Sequence, residues 1–149
     1  MQIYVGYGFN VNELKAQDWL TLMREHDQDE YEDFVENTKE NDGEENLDEK
    51  LLAGIEDRIG DISCLADYLR DIINDAEKEK AGTDYIVSSY DDYLVFDSVR
   101  FAGDSPRAEY IRTEEDFIKM IARYVPVENL TFGNLYEGSD WVDSCYCLD

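Results

Sequence analysis

An α+β fold is predicted for this chain: an antiparallel sheet of about five strands with helices packed on one face. Three observations predict it. Short segments with two-residue alternation or dense apolar and aromatic content recur near residues 2–7, 85–89, 93–97, 130–136 and 141–147, and read as strands. Between them, apolar residues recur every three or four positions, the period of an amphipathic helix. The order β-α-α-β-β-α-β-β then matches an antiparallel sheet with helices on one side.

The first strand, 2–7, alternates Ile3 and Val5 with Gln2, Tyr4 and Gly6. Gly6-Tyr7-Gly8 follows it and reads as a tight turn, because Val11 stands where a dinucleotide fingerprint needs its third glycine. Asn10 with Glu13 resembles a capping box, which predicts a helix over about 11–25 with Ala16, Trp19, Leu20 and Met23 on one face. Tyr31 and Phe34 continue that face in a second piece over about 29–38, and a polar loop follows over 38–46. Leu51, Ile55, Ile59, Ile62, Leu65, Leu69, Ile72 or Ile73, and Ala76 predict one long amphipathic helix over about 47–80, with Gly60-Asp61 as the place for a bend. Residues 85–89 and 93–97 form a hairpin across Tyr90-Asp91-Asp92. Thr113 caps a short helix to about 124, which Pro126 stops. The last two strands turn at 137–140. No repeat and no boundary divides the chain, so 1–149 reads as a single acidic domain.

Acidity of this degree often accompanies disorder, but disordered acidic chains are poor in aromatics. Eleven Tyr, six Phe and two Trp exclude global disorder here. No apolar run is long enough to cross a membrane, and the first residues lack the basic and apolar regions of a signal peptide. The cysteines, Cys64, Cys145 and Cys147, are odd in number, which predicts reduced thiols and a cytoplasmic location.

The chain carries 37 acidic residues against 13 Lys and Arg, a formal charge of −24. Self-repulsion opposes the compact state, so the excess does nothing for stability. Duplex DNA carries one charge per about 1.7 Å of axis, so 24 charges correspond to about 41 Å of duplex. The acids are concentrated: residues 25–57 hold fifteen, against Lys39 and Lys50. Asp67, Asp71 and Asp75 fall at i, i+4 and i+8 and line one helical face about 6 Å apart. Asp29, Glu32, Asp33 and Glu36 make a second ridge, and Glu30 beside them is a further candidate partner-binding residue. Rigidly spaced carboxylates with few bases nearby are what a phosphate mimic needs, and reversing Asp67, Asp71 and Asp75 to Lys is expected to spare the fold. Tyr90, Asp91, Asp92 and Tyr93 set two aromatics beside two acids at the hairpin tip, and such aromatics anchor interfaces. Tyr31, amid its acids, and Trp141, beside Asp140 and Asp143, are further candidates for this role, against the reading of each as an ordinary half-buried aromatic.

Other chemistry is poorly supported. Residues 38–49 overlay a calcium loop with Gly43 sixth and Glu49 twelfth, but Thr38 replaces its first Asp and Glu45 its apolar residue. Cys145 and Cys147 lack the further ligands of a zinc site. The lone histidine, His26, sits in an acidic run. No enzyme, no metal and no cofactor are expected.

In size, charge and aromatic content, the whole chain resembles the phage-encoded DNA-mimic inhibitors of bacterial defence, of anti-CRISPR and anti-restriction type. No motif is shared, so no residue roles are carried over. The resemblance implies a stoichiometric inhibitor acting in the host cytoplasm, one that occupies the duplex-binding or PAM-reading groove of a nuclease such as an RNA-guided nuclease. Its partner is a basic nucleic-acid-binding protein, not nucleic acid and not a membrane. The alternative is an immunity protein neutralising a basic nuclease toxin.

Overall fold

The computed structural model of the protein describes residues 2–61, 65–83, 85–96, 111, 113–138 and 146–148. The class is α+β. Strand β1 (Gln2–Asn10) runs straight through the tight turn predicted at Gly6-Tyr7-Gly8. The glycines serve closeness instead of reversal. Gly8 pairs with Val95 of a neighbouring strand, and a Cβ on Gly8 would lie 1.9 Å from the Leu94 carbonyl oxygen.

Asn10 does cap, but it caps a 3-10 turn, Val11–Glu13, by accepting from the Asn12 N–H at 2.8 Å. The predicted helix over 11–25 therefore begins later, as α1 (Ala16–His26), with Asp18 accepting from the Lys15 N–H at 2.8 Å. Glu13 does not complete a capping box. Its carboxylate takes the Thr131 N–H at 3.0 Å and the Thr131 hydroxyl at 3.1 Å.

Helix α2 (Gln28–Asp42) continues through the first half of the predicted polar loop and ends at Gly43, which takes the left-handed φ of 81°. In place of one long helix over 47–80 there are two, α3 (Leu47–Asp61) and α4 (Leu65–Ala81), with residues 62–64 outside the described ones. One apolar period runs through both, yet the two halves serve different neighbours. Leu51 and Ile55 of α3 are buried, and α3 packs against α1 and α2. Leu65, Leu69 and Ile73 of α4 are buried, and α4 packs on the sheet.

The hairpin forms from β2 (Ser88–Tyr90) and β3 (Tyr93–Phe96), but its first strand begins three residues later than predicted and includes Tyr90, which pairs with Tyr93 and leaves Asp91-Asp92 alone as the turn. Thr113 accepts from the Asp116 N–H at 3.0 Å and starts α5 (Glu114–Ile121). Strands β4 (Gly133–Gly138) and β5 (Tyr146–Leu148) complete an antiparallel sheet of order β2-β3-β1-β4-β5. Most of the predicted turn at 137–140 and of the strand over 141–147 lies outside the described residues, as do Trp141, Cys64 and Cys145.

Tyr7, Phe9, Leu94 and Phe96 share one face of the sheet, as the pairing of Tyr7 with Phe96 and Phe9 with Leu94 requires. Phe117 of α5 stacks on Phe96 at 5.7 Å and meets Tyr7 edge-on at 6.0 Å. Burial, and then the charge of Glu114, push the Tyr7 phenol above its ordinary 10.0, so the ring stays neutral in the core.

The apolar stripe of α4 carries one acid, Glu77, which is 1 % exposed. Its Oε1 accepts from the Arg123 guanidinium, from Nη2 and at 3.1 Å from Nε, and from the Tyr124 hydroxyl at 2.9 Å. This cluster fastens α4 to the turn that ends α5. Glu77→Gln keeps the shape but removes the charge from Arg123, which is itself half-exposed and recovers some solvation. A loss of about 2 kcal/mol is expected, read as a lower urea midpoint at unchanged m.

Candidate partner-binding surface

The acidic surface is built on α2. Tyr31, Phe34, Val35 and Thr38 turn inward, with Phe34 and Thr38 buried, and this fixes the opposite face outward. Asp29, Glu30, Glu32, Asp33 and Glu36 are all exposed there, with Glu40 and Asp42 beyond them. The Thr38 hydroxyl donates to the Phe34 carbonyl at 2.8 Å inside the helix, so residues 38–42 are not part of a calcium-type loop.

Seven acids and one base, Lys39, stand on the 15 residues of α2. At 1.5 Å per residue the helix is about 22 Å long, so the net charge falls at one per about 3.7 Å. A single DNA strand carries one per about 3.4 Å. From Glu32 to Glu49 the carboxylates make no ion pair among the described residues. Lys50, the nearest base in the following helix, spends its ammonium on the Asp42 carbonyl at the end of α2. The helix terminus is satisfied and the carboxylates keep their charge.

The ridge predicted at Asp67, Asp71 and Asp75 differs. Asp67, Asp71 and Asp75 do line α4, but α4 supplies its own cations. Arg70 donates from Nη1 to Asp67 Oδ1 at 3.2 Å and from Nε to Asp71 Oδ1 at 3.0 Å, and Lys78 donates to Asp75 Oδ1 at 2.9 Å. Asp67 also accepts from the Ser89 hydroxyl of β2. The expectation of an uncompensated ridge is corrected, and Asp67→Lys is now expected to face Arg70 and loosen the tie between α4 and the sheet. The spacing of Asp67 with Arg70 and of Asp75 with Lys78, three residues apart, carried this signal in the sequence.

At the hairpin tip Tyr90 and Tyr93 are half-buried, which leaves less of each ring for a partner than a free anchor would offer. Asp91 is exposed and takes a left-handed φ of 50°, which Asp tolerates. Asp92 is half-buried and its carbonyl accepts from the Val11 N–H at 2.8 Å, which holds the tip against the end of β1. The hairpin meets α4 through Ser89, and the junction between α1 and α2 meets α4 where the Tyr68 hydroxyl donates to Asp27 at 2.6 Å. Tyr85 was not singled out by sequence reasoning, yet it is the exposed large hydrophobic side chain of the described residues, at 72 %. His26 is exposed and packs its ring against Tyr124 at 4.7 Å.

Among the described residues no cluster of His, Cys, Asp or Glu is arranged to hold a metal ion, and no helix is long and apolar enough to cross a membrane. Comparison with protein-family models, with curated proteins and with solved structures found no match for this chain.

Proposed function

We propose that the protein is a stoichiometric inhibitor that presents α2 in place of a nucleic-acid strand and occupies the duplex-binding groove of a bacterial defence nuclease. A PAM-reading groove of an RNA-guided nuclease, lined by arginines, is the favoured target. The observation that carries this reading is the charge of α2: fixed on a rigid rod, spaced nearly as densely as phosphates along one strand, and carried at Asp29 and from Glu32 to Asp42 by carboxylates that make no ion pair among the described residues. A basic groove that accommodates a phosphate backbone meets a similar potential here, and steering by charge would speed encounter by about 10- to 1,000-fold at low salt.

The reading has a direct test. Immobilised protein is exposed to a panel of guide-loaded RNA-guided nucleases, restriction nucleases and nuclease toxins, with and without competing duplex DNA. Capture of a defence nuclease that duplex displaces supports the proposal. Capture of a toxin alone would favour the immunity-protein reading, and no capture at physiological salt would remove both.

A further inference from the structure

A groove of about 1170 Å³ runs between α4 and the segment that enters β2, lined among others by Asp71, Asn74, Asp75, Tyr85, Ser88 and Ser89. Strand β2 is an edge of the sheet. Tyr90 and Tyr93 flank a two-residue turn, so they form the pair that exchanges main-chain hydrogen bonds. Alternation then turns the N–H and C=O of Val87 and of Ser89 away from β3, toward the open edge. The side-chain amide of Asn74 already satisfies Val87: Oδ1 accepts from its N–H at 2.9 Å and Nδ2 donates to its C=O at 3.0 Å. Asn74 thus stands where a further strand would lie. Among the described residues nothing takes the corresponding groups of Ser89.

Beside this open edge, Tyr85 and two carboxylates share the groove. Asp71 and Asp75 have side chains 70 % and 79 % exposed, and each engages its base through Oδ1 alone. The walls set three acids, Asp27, Asp71 and Asp75, against Arg70 and Lys78, and Arg70 is held in addition by Asp67 from outside the groove. An accessible ring that shares a groove with exposed carboxylate oxygens suits a planar guanidinium, which stacks on one and donates to the other.

We propose that this groove receives an extended, arginine-bearing segment of the basic partner, which adds to the edge at Ser89 and places its guanidinium between Tyr85 and the Asp71 and Asp75 carboxylates. The inference rests on the inhibitor reading above. It assigns specificity to the groove, whereas α2 supplies the bulk of the charge. With only one open main-chain pair, the side-chain contacts provide most of the selectivity.

The test is a two-dimensional NMR titration of the full chain with a capped Thr-Val-Arg-Val-Thr peptide and with its citrulline counterpart. Shifts at the amides of Ser88, Ser89 and Tyr90 are expected, with affinity about tenfold lower for citrulline and about tenfold lower in Tyr85→Ala. Equal affinity for both peptides, shifts that map to α2, or no binding would overturn the groove proposal. The same amides shifting with protein concentration alone would assign the edge to a second copy and overturn it as well. The inhibitor reading is scored separately, by nuclease capture, and can stand when the groove proposal falls.

Discussion

Replacing Asp29, Asp33 and Glu36 together by Lys is expected to weaken binding to the proposed nuclease partner by about 100-fold or more while leaving the protein folded. All three side chains are exposed on α2 and none forms an ion pair among the described residues. The substitution replaces three attractions by three repulsions. On the fold its effect has the opposite sign on balance: positions 29, 33 and 36 would gain opposite charges three or four residues away at Glu30, Glu32 and Glu40, each pair worth about 0.2–0.5 kcal/mol, while 29 with 33 and 33 with 36 stay like-charged and 36 with Lys39 becomes so. Thermal unfolding of the variant should match or exceed the parent's midpoint. The control is Asp29→Asn, Asp33→Asn, Glu36→Gln, which removes the charge without reversing it and should fall between the two in affinity. Binding that survives the reversal would move the interface off α2.

Gly8→Ala should cost more stability than any surface change, more than about 3 kcal/mol. The added Cβ would lie 1.9 Å from the Leu94 carbonyl oxygen and 2.8 Å from the Val95 Cα, both backbone atoms of β3 that no rotamer change can move. Relief requires β1 and β3 to part, and these strands hold Tyr7, Phe9, Leu94 and Phe96 in register under α5. A loss of that size is a large share of the 5–15 kcal/mol that stabilises a typical domain. Chemical denaturation followed by tryptophan fluorescence would measure it, and a midpoint within error of the parent's would refute the close approach.

Gly8 also shows where the sequence could be read and where it could not. Two glycines one residue apart, after a strand, are chemically consistent with a turn or with a neighbour pressed against the backbone. Only the position of β3, far away in the chain, decides between them. The helices divide along the same line. Trp19, Leu20, Met23, Phe34, Leu51, Ile55, Leu65, Leu69 and Ile73 were all legible as core from their three- and four-residue spacing, and all are buried. The separation of α3 from α4 was not, because periodicity reports that a face is buried and not which neighbour buries it. Thr113 as a cap and the hairpin about Asp91-Asp92 were legible because their chemistry is local.

The acidic surface was half legible. Density of charge located α2, whose carboxylates point outward because Tyr31, Phe34, Val35 and Thr38 point in. The same counting overvalued the Asp67, Asp71 and Asp75 ridge. A tally of acids ignores that Arg70 and Lys78 lie one turn away on the same helix, and neutralisation depends on that turn. Glu77 and Tyr85 escaped notice for opposite reasons. An acid on an apolar stripe, four residues past Ile73, announces a buried partner in the sequence, but Arg123 lies 46 residues on and only folding brings it there. Tyr85 looked like an ordinary strand residue, and its exposure follows from its place at the approach to an edge strand.

The central claim is that the protein and duplex DNA compete for one groove. The measurement is equilibrium binding of a labelled PAM-containing duplex to the captured guide-loaded nuclease, at increasing concentrations of the protein and at fixed salt. If α2 stands in for a nucleic-acid strand, the apparent Kd of the duplex rises in proportion to protein concentration without a plateau, and no complex contains both. A plateau, or a ternary complex of nuclease, duplex and protein, would contradict the account.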